Sequence, residues 1–251
     1  MTPGKLHLIP VPLGEEADAV QLLAPATLQA ARRLTRFFVE NPKSARAFLK
    51  RIGHPLPLQS LAMTTIGKHS REEDWSLLLQ PLLQGEDAGL LSEAGCPAVA
   101  DPGAQLVRAA HEAGIAVQPM VGPSALLLAL MASGLNGQRF AFQGYLPVEN
   151  ERRKSRIHQV EQRSRQENST QLFIETPYRN DALLAALLEH CAADTLLCVA
   201  ADLGEPGETV LTHSIAGWRA LAWLPGRRPA VFLLLGSAAS KPSAARTRQG
   251  R

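Results

Sequence analysis

Apolar residues along the chain keep two rhythms that alternate from end to end. Short runs rich in Leu, Ile, Val and Phe read as strands, and between them apolar residues recur every three or four positions, as on one face of a helix. In the first half the runs Leu6–Val11, Arg36–Val39, Leu61–Ile66, Ala88–Leu91 and Ala116–Val121 predict strands. In the second half Phe140–Tyr145, Gln171–Ile174, Leu196–Ala200, Thr209–Thr212 and Ala230–Leu235 do the same. Strands that alternate with helical segments predict parallel α/β construction. The expected fold class is α/β, with two α/β domains, each a roughly five-stranded sheet flanked by helices.

Capping residues place the helices. "NPKSARAFLKRIG" sets Asn41 as N-cap, Pro42 in the first turn and Gly53 past the end, with Ala45, Phe48, Leu49 and Ile52 on one buried face. "SREEDWSLLLQ" opens on the capping-box pair Ser70 and Glu73 and would bury Trp75, Leu78, Leu79 and Leu82. Pro81 should kink or shorten that helix. Asp101 is expected to cap, and Pro102 to start, a further helix that Gly114 ends. Leu183, Leu184, Leu187, Leu188 and Cys191 form another helical stripe. The domain boundary is expected near Val121–Pro123, giving domains over 1–121 and 122–238 and a disordered basic tail over 239–251.

Composition narrows the class. At 251 residues, 45% hydrophobic and 20% charged, the chain is ordinary for a globular protein. Cys96, Cys191 and Cys198 are odd in number and lack a CxxC spacing, which predicts a reducing compartment, no disulfide framework and no metal. "LHLIPVPL" lacks the basic lead-in of a signal peptide, and no apolar run reaches the roughly 20 residues that span a bilayer, so a cytoplasmic location is expected and no membrane partner. The net charge is +3, but the tail "SKPSAARTRQGR" carries Lys241, Arg246, Arg248 and Arg251 and no acid. Residues 1–240 are thus close to neutral, about −1. A basic surface must come from local clusters.

Two loops carry candidate chemistry. "LLSEAGCPAVADPGAQL" follows the apolar end of a strand and is built almost wholly from small residues. In an open α/β sheet that end is where ligands bind, and small residues let a ligand reach the main chain. Glu93 could accept hydrogen bonds from an amine or a ribose. "MVGPSALLLALMASG" sets Gly122, Pro123 and Ser124 between a strand and a helix, where amides favour an anion. Tight strand-to-helix turns would explain both loops as well. No phosphate loop, no G-x-G-x-x-G, no G-x-S-x-G elbow and no His-x-x-x-His pair occurs, which argues against triad hydrolysis and P-loop phosphoryl transfer. Chemistry with a pre-activated cofactor remains.

"SEAGCPAVADPG", "PMVGPSALLLALMASG", "FAFQGYLP" and "IETPYR", taken in order, closely resemble the tetrapyrrole methylase superfamily of S-adenosylmethionine-dependent enzymes. The resemblance runs from Leu6 to Leu235 and is strongest to the branch that methylates a cytidine ribose 2′-hydroxyl in small-subunit ribosomal RNA. It implies two α/β domains in a homodimer, with S-adenosylmethionine in the cleft between the domains. By motif, Pro12, Ser92, Glu93, Ala94, Gly95, Val99 and Ala100 would line the cofactor, with Pro123, Ser124 and Ala125. Tyr145, Leu146, Glu175, Thr176, Pro229, Ala230 and Val231 would close over it. A sulfonium is a strong methyl donor, so positioning and exclusion of water suffice, and a small-residue loop supplies them.

A ribose hydroxyl is a weak acid that a base would help. Glu40, Lys43, Lys68 and His69 are the candidate catalytic residues at strand ends, although His69 also reads as a solvated residue before a helix cap. The RNA enzymes carry Glu-Asp-Thr-Arg where this chain has Glu40-Asn41-Pro42-Lys43, and Pro-Ile-Gly-Asn-Leu where it has Pro12-Leu13-Gly14-Glu15-Glu16. Lysine cannot reproduce the bidentate grip of arginine on phosphate. Lys43, Arg46 and Lys50 share one helix face, and Arg152, Arg153, Lys154, Arg156, Arg163 and Arg165 form a second basic run; both suit phosphates or plain solvent. Three functions stay open: methylation of RNA, with ribosomal RNA or the small subunit as partner; methylation of a tetrapyrrole or other small acceptor; and a cofactor-binding module with little catalysis.

Overall fold

The computed structural model describes residues 2–67 and 72–237. Two compact units divide the chain: one runs to Leu128 and includes Asp202–Glu208, the other holds Ala129–Ala201 and the residues from Thr209 on. The boundary expected at 121/122 thus lies at 128/129. The turn before the helix belongs with the first unit because the Cys96 thiol donates to Pro123 O at 3.3 Å and Gly122 lies against Pro10. The tail expected to be disordered lies outside the described residues, as do Lys68, His69 and Ser70.

In the first unit the chain runs β1 (Lys5–Ile9), α1 (Ala19–Leu22), α2 (Pro25–Arg33), β2 (Arg36–Val39), α3 (Pro42–Arg51), β3 (Ala62–Thr65), α4 (Glu72–Leu78), α5 (Gln80–Leu83), β4 (Ala88–Leu91), α6 (Ala104–Glu112) and β5 (Ala116–Pro119). The strands pair in the order β3-β2-β4-β1-β5, all parallel. Strand period decides the layers. Phe37 packs with Leu28, Phe48 and Leu49 on one face, and its neighbour Phe38 packs with Trp75, Leu79 and Leu106 on the other. Each such side chain contributes about 1.5–3 kcal/mol by leaving water.

Helix α3 has the expected ends: Asn41 Oδ1 accepts from Lys43 N at 2.9 Å, and Ala45, Phe48, Leu49 and Ile52 are buried. The helix breaks at Leu79, and Pro81 stands in the first turn of α5; Trp75, Leu79 and Leu82 are buried there and Leu78 only partly. The expectation that Asp101 caps α6 is corrected. The helix starts at Ala104 after Gly103, whose φ of 124° and lack of a side-chain cap place Asp101 outside the helix end. Only glycine fits there, since a Cβ on Gly103 would stand 2.8 Å from Leu90 Cδ2.

In the second unit α7 (Ala125–Ser133), begun in the first, leads to β6 (Phe140–Tyr145), α8 (Asn150–Glu167), β7 (Thr170–Ile174), α9 (Asn180–His190), β8 (Leu196–Ala201), β9 (Thr209–Ser214), α10 (Ile215–Arg219) and β10 (Ala230–Leu235). The strand order is β6-β7-β10-β8-β9, and this sheet is mixed rather than parallel throughout: only β6 and β7 are parallel. A helical crossover, α8, joins that pair. The Gly-rich loop 202–208 carries no helix, so β8 and β9 run antiparallel, and β10 inserts between β7 and β8 against both. Leu183, Leu184, Leu187 and Cys191 face the core, where Phe173 and Phe232 stack at 5.9 Å and Trp218 Nε1 donates to Leu197 O at 2.7 Å. No helix among the described residues is long and apolar enough to cross a membrane.

Candidate functional site

The adjacent strands β1 and β4 send their connections in opposite directions across the first sheet, and ligands bind at the carboxyl ends of such a switch point. Three loops meet there. Val11, past the end of β1, exchanges two backbone bonds with Gly95: its N–H donates to Gly95 O at 3.0 Å and its carbonyl accepts from Gly95 N at 3.2 Å. A Cβ on Gly95 would stand 3.1 Å from Leu13 Cδ2, so glycine keeps the two loops in contact. Cys96 adds its thiol bond to Pro123 O, and burial pushes that thiol's pKa up, so it stays protonated.

Beyond Gly95 the loop is strained. Ala98 and Ala100 hold φ of 65° and 64°, a left-handed conformation that residues with a Cβ rarely adopt. Strain of this kind gathers where a loop must keep one shape for a ligand. Val99 and Ala100 are exposed, Ser92, Gly95 and Pro12 are buried, and Pro123, Ser124 and Ala125 are half-buried. Ser124 O accepts the first bond of α7, from Leu128 N at 2.9 Å.

Glu93 is exposed yet fixed. Its Oε1 accepts from Asn41 Nδ2 at 3.1 Å and from Ser44 Oγ at 3.2 Å. An ionised aspartate at 41 would have no N–H to offer, so the amide found at this position of the motif has a local role. Ser44 was missed from sequence; its place three residues after the N-cap Asn41 was the available signal. A cavity of about 300 Å³ opens beside Glu93, lined by Val11, Leu13, Gly14, Ser44, Phe48 and Arg51 among others. Arg51, also missed, donates to Ala17 O at the cavity edge. Glu205, in the 202–208 loop, accepts from Glu16 N and Ala17 N, both at 3.0 Å.

Glu40 lies just past β2, and its Oε1 is buried without a hydrogen-bond partner. Its pKa is raised above the ordinary 4.5, first by burial, then by the charge of Asp101 and, more weakly, Glu93. The Ser92 hydroxyl and Glu93 amide oppose this from nearby without satisfying Oε1. A carboxylate so placed takes up a proton readily. Lys43 is exposed on α3. No group of three or more His, Cys, Asp or Glu among the described residues is arranged to hold a metal ion.

The second-unit residues sit differently. Tyr145 is 56% exposed, Pro229 is exposed and Thr176 is half-buried. Leu146, Ala230 and Val231 are buried, Leu146 and Ala230 within the hydrophobic cluster. Glu175 pairs with Arg179 at 3.1 Å, and its Oε1 accepts from Thr176 N at 2.8 Å.

The sequence profile of the Tetrapyrrole (Corrin/Porphyrin) Methylases matches residues 5–217. The chain belongs to the tetrapyrrole methylase family. It is a methyltransferase of that family. The chain is 33% identical to the Ribosomal RNA small subunit methyltransferase I of Xylella fastidiosa (strain Temecula1), covering all of this chain and 87% of that protein. The protein of the same name from Pseudomonas aeruginosa is 31% identical over 86% of this chain and 72% of its own. The fold is that of the methyltransferase CobJ, with TM-score 0.61 at 19% identity over 95% of this chain and 96% of that one.

Proposed function

We propose that the protein is an S-adenosylmethionine-dependent methyltransferase that acts on RNA, at a ribose 2′-hydroxyl of a ribosomal RNA substrate. The observation that carries the reading is the likeness, over 86–100% of the chain, to proteins named for small-subunit ribosomal RNA methylation. The first unit's loops fit the donor. The small residues of the loop after β4, a carboxylate locked by Asn41 and Ser44, and a cavity of about 300 Å³ suit a ligand that offers hydroxyl and ammonium donors. S-adenosylmethionine supplies a methyl group already activated on a sulfonium. Glu93 would hold its polar groups, and the main chain after β4 would hold the rest.

The protein's own chemical task is then proton removal and alignment. Glu40 takes the proton of the acceptor hydroxyl, for which its burial beside Asp101 prepares it. Incubating the protein with methyl-labelled S-adenosylmethionine and small ribosomal subunits should put label on RNA ribose. Glu40→Gln should lower that rate by about 10²–10⁴-fold at unchanged cofactor affinity. Label that reaches a porphyrinogen and not RNA would refute the RNA reading, and an unchanged rate in Glu40→Gln would remove Glu40 as base.

A further inference from the structure

Helix α3 begins directly after Glu40 and Asn41 and divides its surface three ways. Ala45, Phe48, Leu49 and Ile52 are buried, Ser44, Ala47 and Arg51 line the cavity beside Glu93, and Lys43, Arg46 and Lys50 are exposed. Spacings of three and four residues align those three cations along one face, over about 10 Å of helix.

Ordinary solvated helix faces mix signs, and α3 does not. Its sequence PKSARAFLKR contains no acid, and none of the three cations has an ion pair among the described residues. Lys43 moreover stands in the first turn, where the helix dipole is positive and a cation is unfavourable. The fold therefore keeps a charge there that its own stability disfavours. The other basic helix behaves in the usual way. On α8, Arg163 pairs with Glu167 at 3.0 Å, Arg165 with Asp194 at 2.8 Å, and Arg156 donates to Gln143 at 2.7 Å.

We propose that the outward face of α3 is a track for the phosphates of the RNA, leading its backbone to the reacting ribose; this rests on the RNA acceptor proposed above. A line of cations on an open face suits a linear polyanion. A compact macrocycle whose reacting atom sits at the cavity would have no means of meeting all three.

The test is equilibrium binding of a single-stranded RNA oligonucleotide to the full chain across a series of salt concentrations. Wild type is compared with Lys43→Gln/Arg46→Gln/Lys50→Gln and with a charge-matched α8 control, Arg152→Gln/Arg153→Gln/Lys154→Gln. Release of counterions from three phosphates implies a slope of log K against log salt that is smaller by about 2 in the α3 variant, with affinity about 100-fold lower at 0.1 M salt. Cofactor affinity, measured on each variant, should not move, and the melting temperature should not fall. An unchanged slope in the α3 variant, or an equal fall in both variants, overturns the proposal. Label transfer to ribosomal subunits by wild type is measured beside it. If that too is absent, the RNA acceptor itself has failed; if it is present, the fault lies with α3 alone.

Discussion

In the first unit the loop after β4 leaves Glu93, Ala94, Val99 and Ala100 at the surface, beside a cavity and on a backbone bent into left-handed turns. In the second unit Leu146, Ala230 and Val231 are buried, and Glu175 is buried in an ion pair with Arg179. One motif resemblance pointed to both sets. The difference teaches that a motif can mark two physical jobs. We propose that the small residues and the braced carboxylate receive the ligand, whereas the Glu175–Arg179 pair and the strand residues form a frame.

The strongest way to break this contrast is Arg179→Met. It leaves the Glu175 carboxylate, 1% exposed, without its cation. Removing one partner of a buried pair costs about 3–5 kcal/mol, so denaturant unfolding should show a loss of that size with cofactor affinity unchanged in the folded protein. A loss of affinity without a loss of stability would make Glu175 a binding group after all. Glu93→Ala should do the reverse. Hydrogen bonds to a charged group are worth about 1.5–3 kcal/mol, so S-adenosylmethionine binding by calorimetry should weaken by roughly 10- to 100-fold, with only a small fall in melting temperature from the exposed bonds to Asn41 and Ser44.

The smallest effect sharpens the contrast within the first unit. Burial and Asp101 raise the pKa of Glu40 above its ordinary value, so the fold favours the protonated form. That stability is fully present below pH 4.5 and is lost as pH rises through the folded pKa. Glu40→Gln stays neutral and should be more stable than wild type at neutral pH, with the gap closing below pH 4.5 in urea titrations at several pH values. A gap that is constant with pH would show that Glu40 carries no such burden.

The strands were legible because apolar runs bounded by Gly and Pro have few other uses: Arg36–Val39, Ala88–Leu91, Phe140–Tyr145 and Ala230–Leu235 were read to the residue. Helix α3 was legible through Asn41, Pro42 and Gly53. Strand direction in the second sheet was not, because a helix-free loop at 202–208 and the insertion of β10 between β7 and β8 depend on pairings far apart in the chain. The cap of α6 was misread because Asp101 obeys the local rule while Gly103, pressed on Leu90, sets the turn. In the site the carboxylates Glu40 and Glu93 could be picked out as residues; that Asn41 and Ser44 brace Glu93 could not, since only the fold brings the ends of β2 and β4 side by side.

The carboxylate of Glu205 meets the amides of Glu16 and Ala17 across 189 and 188 positions of chain. At synthesis rates of about 5–20 residues per second, those amides wait roughly 10–40 s for their acceptor to be made. The first half of the molecule therefore emerges with its opening turn unfinished, and completes it only when the β8–β9 loop has left the ribosome.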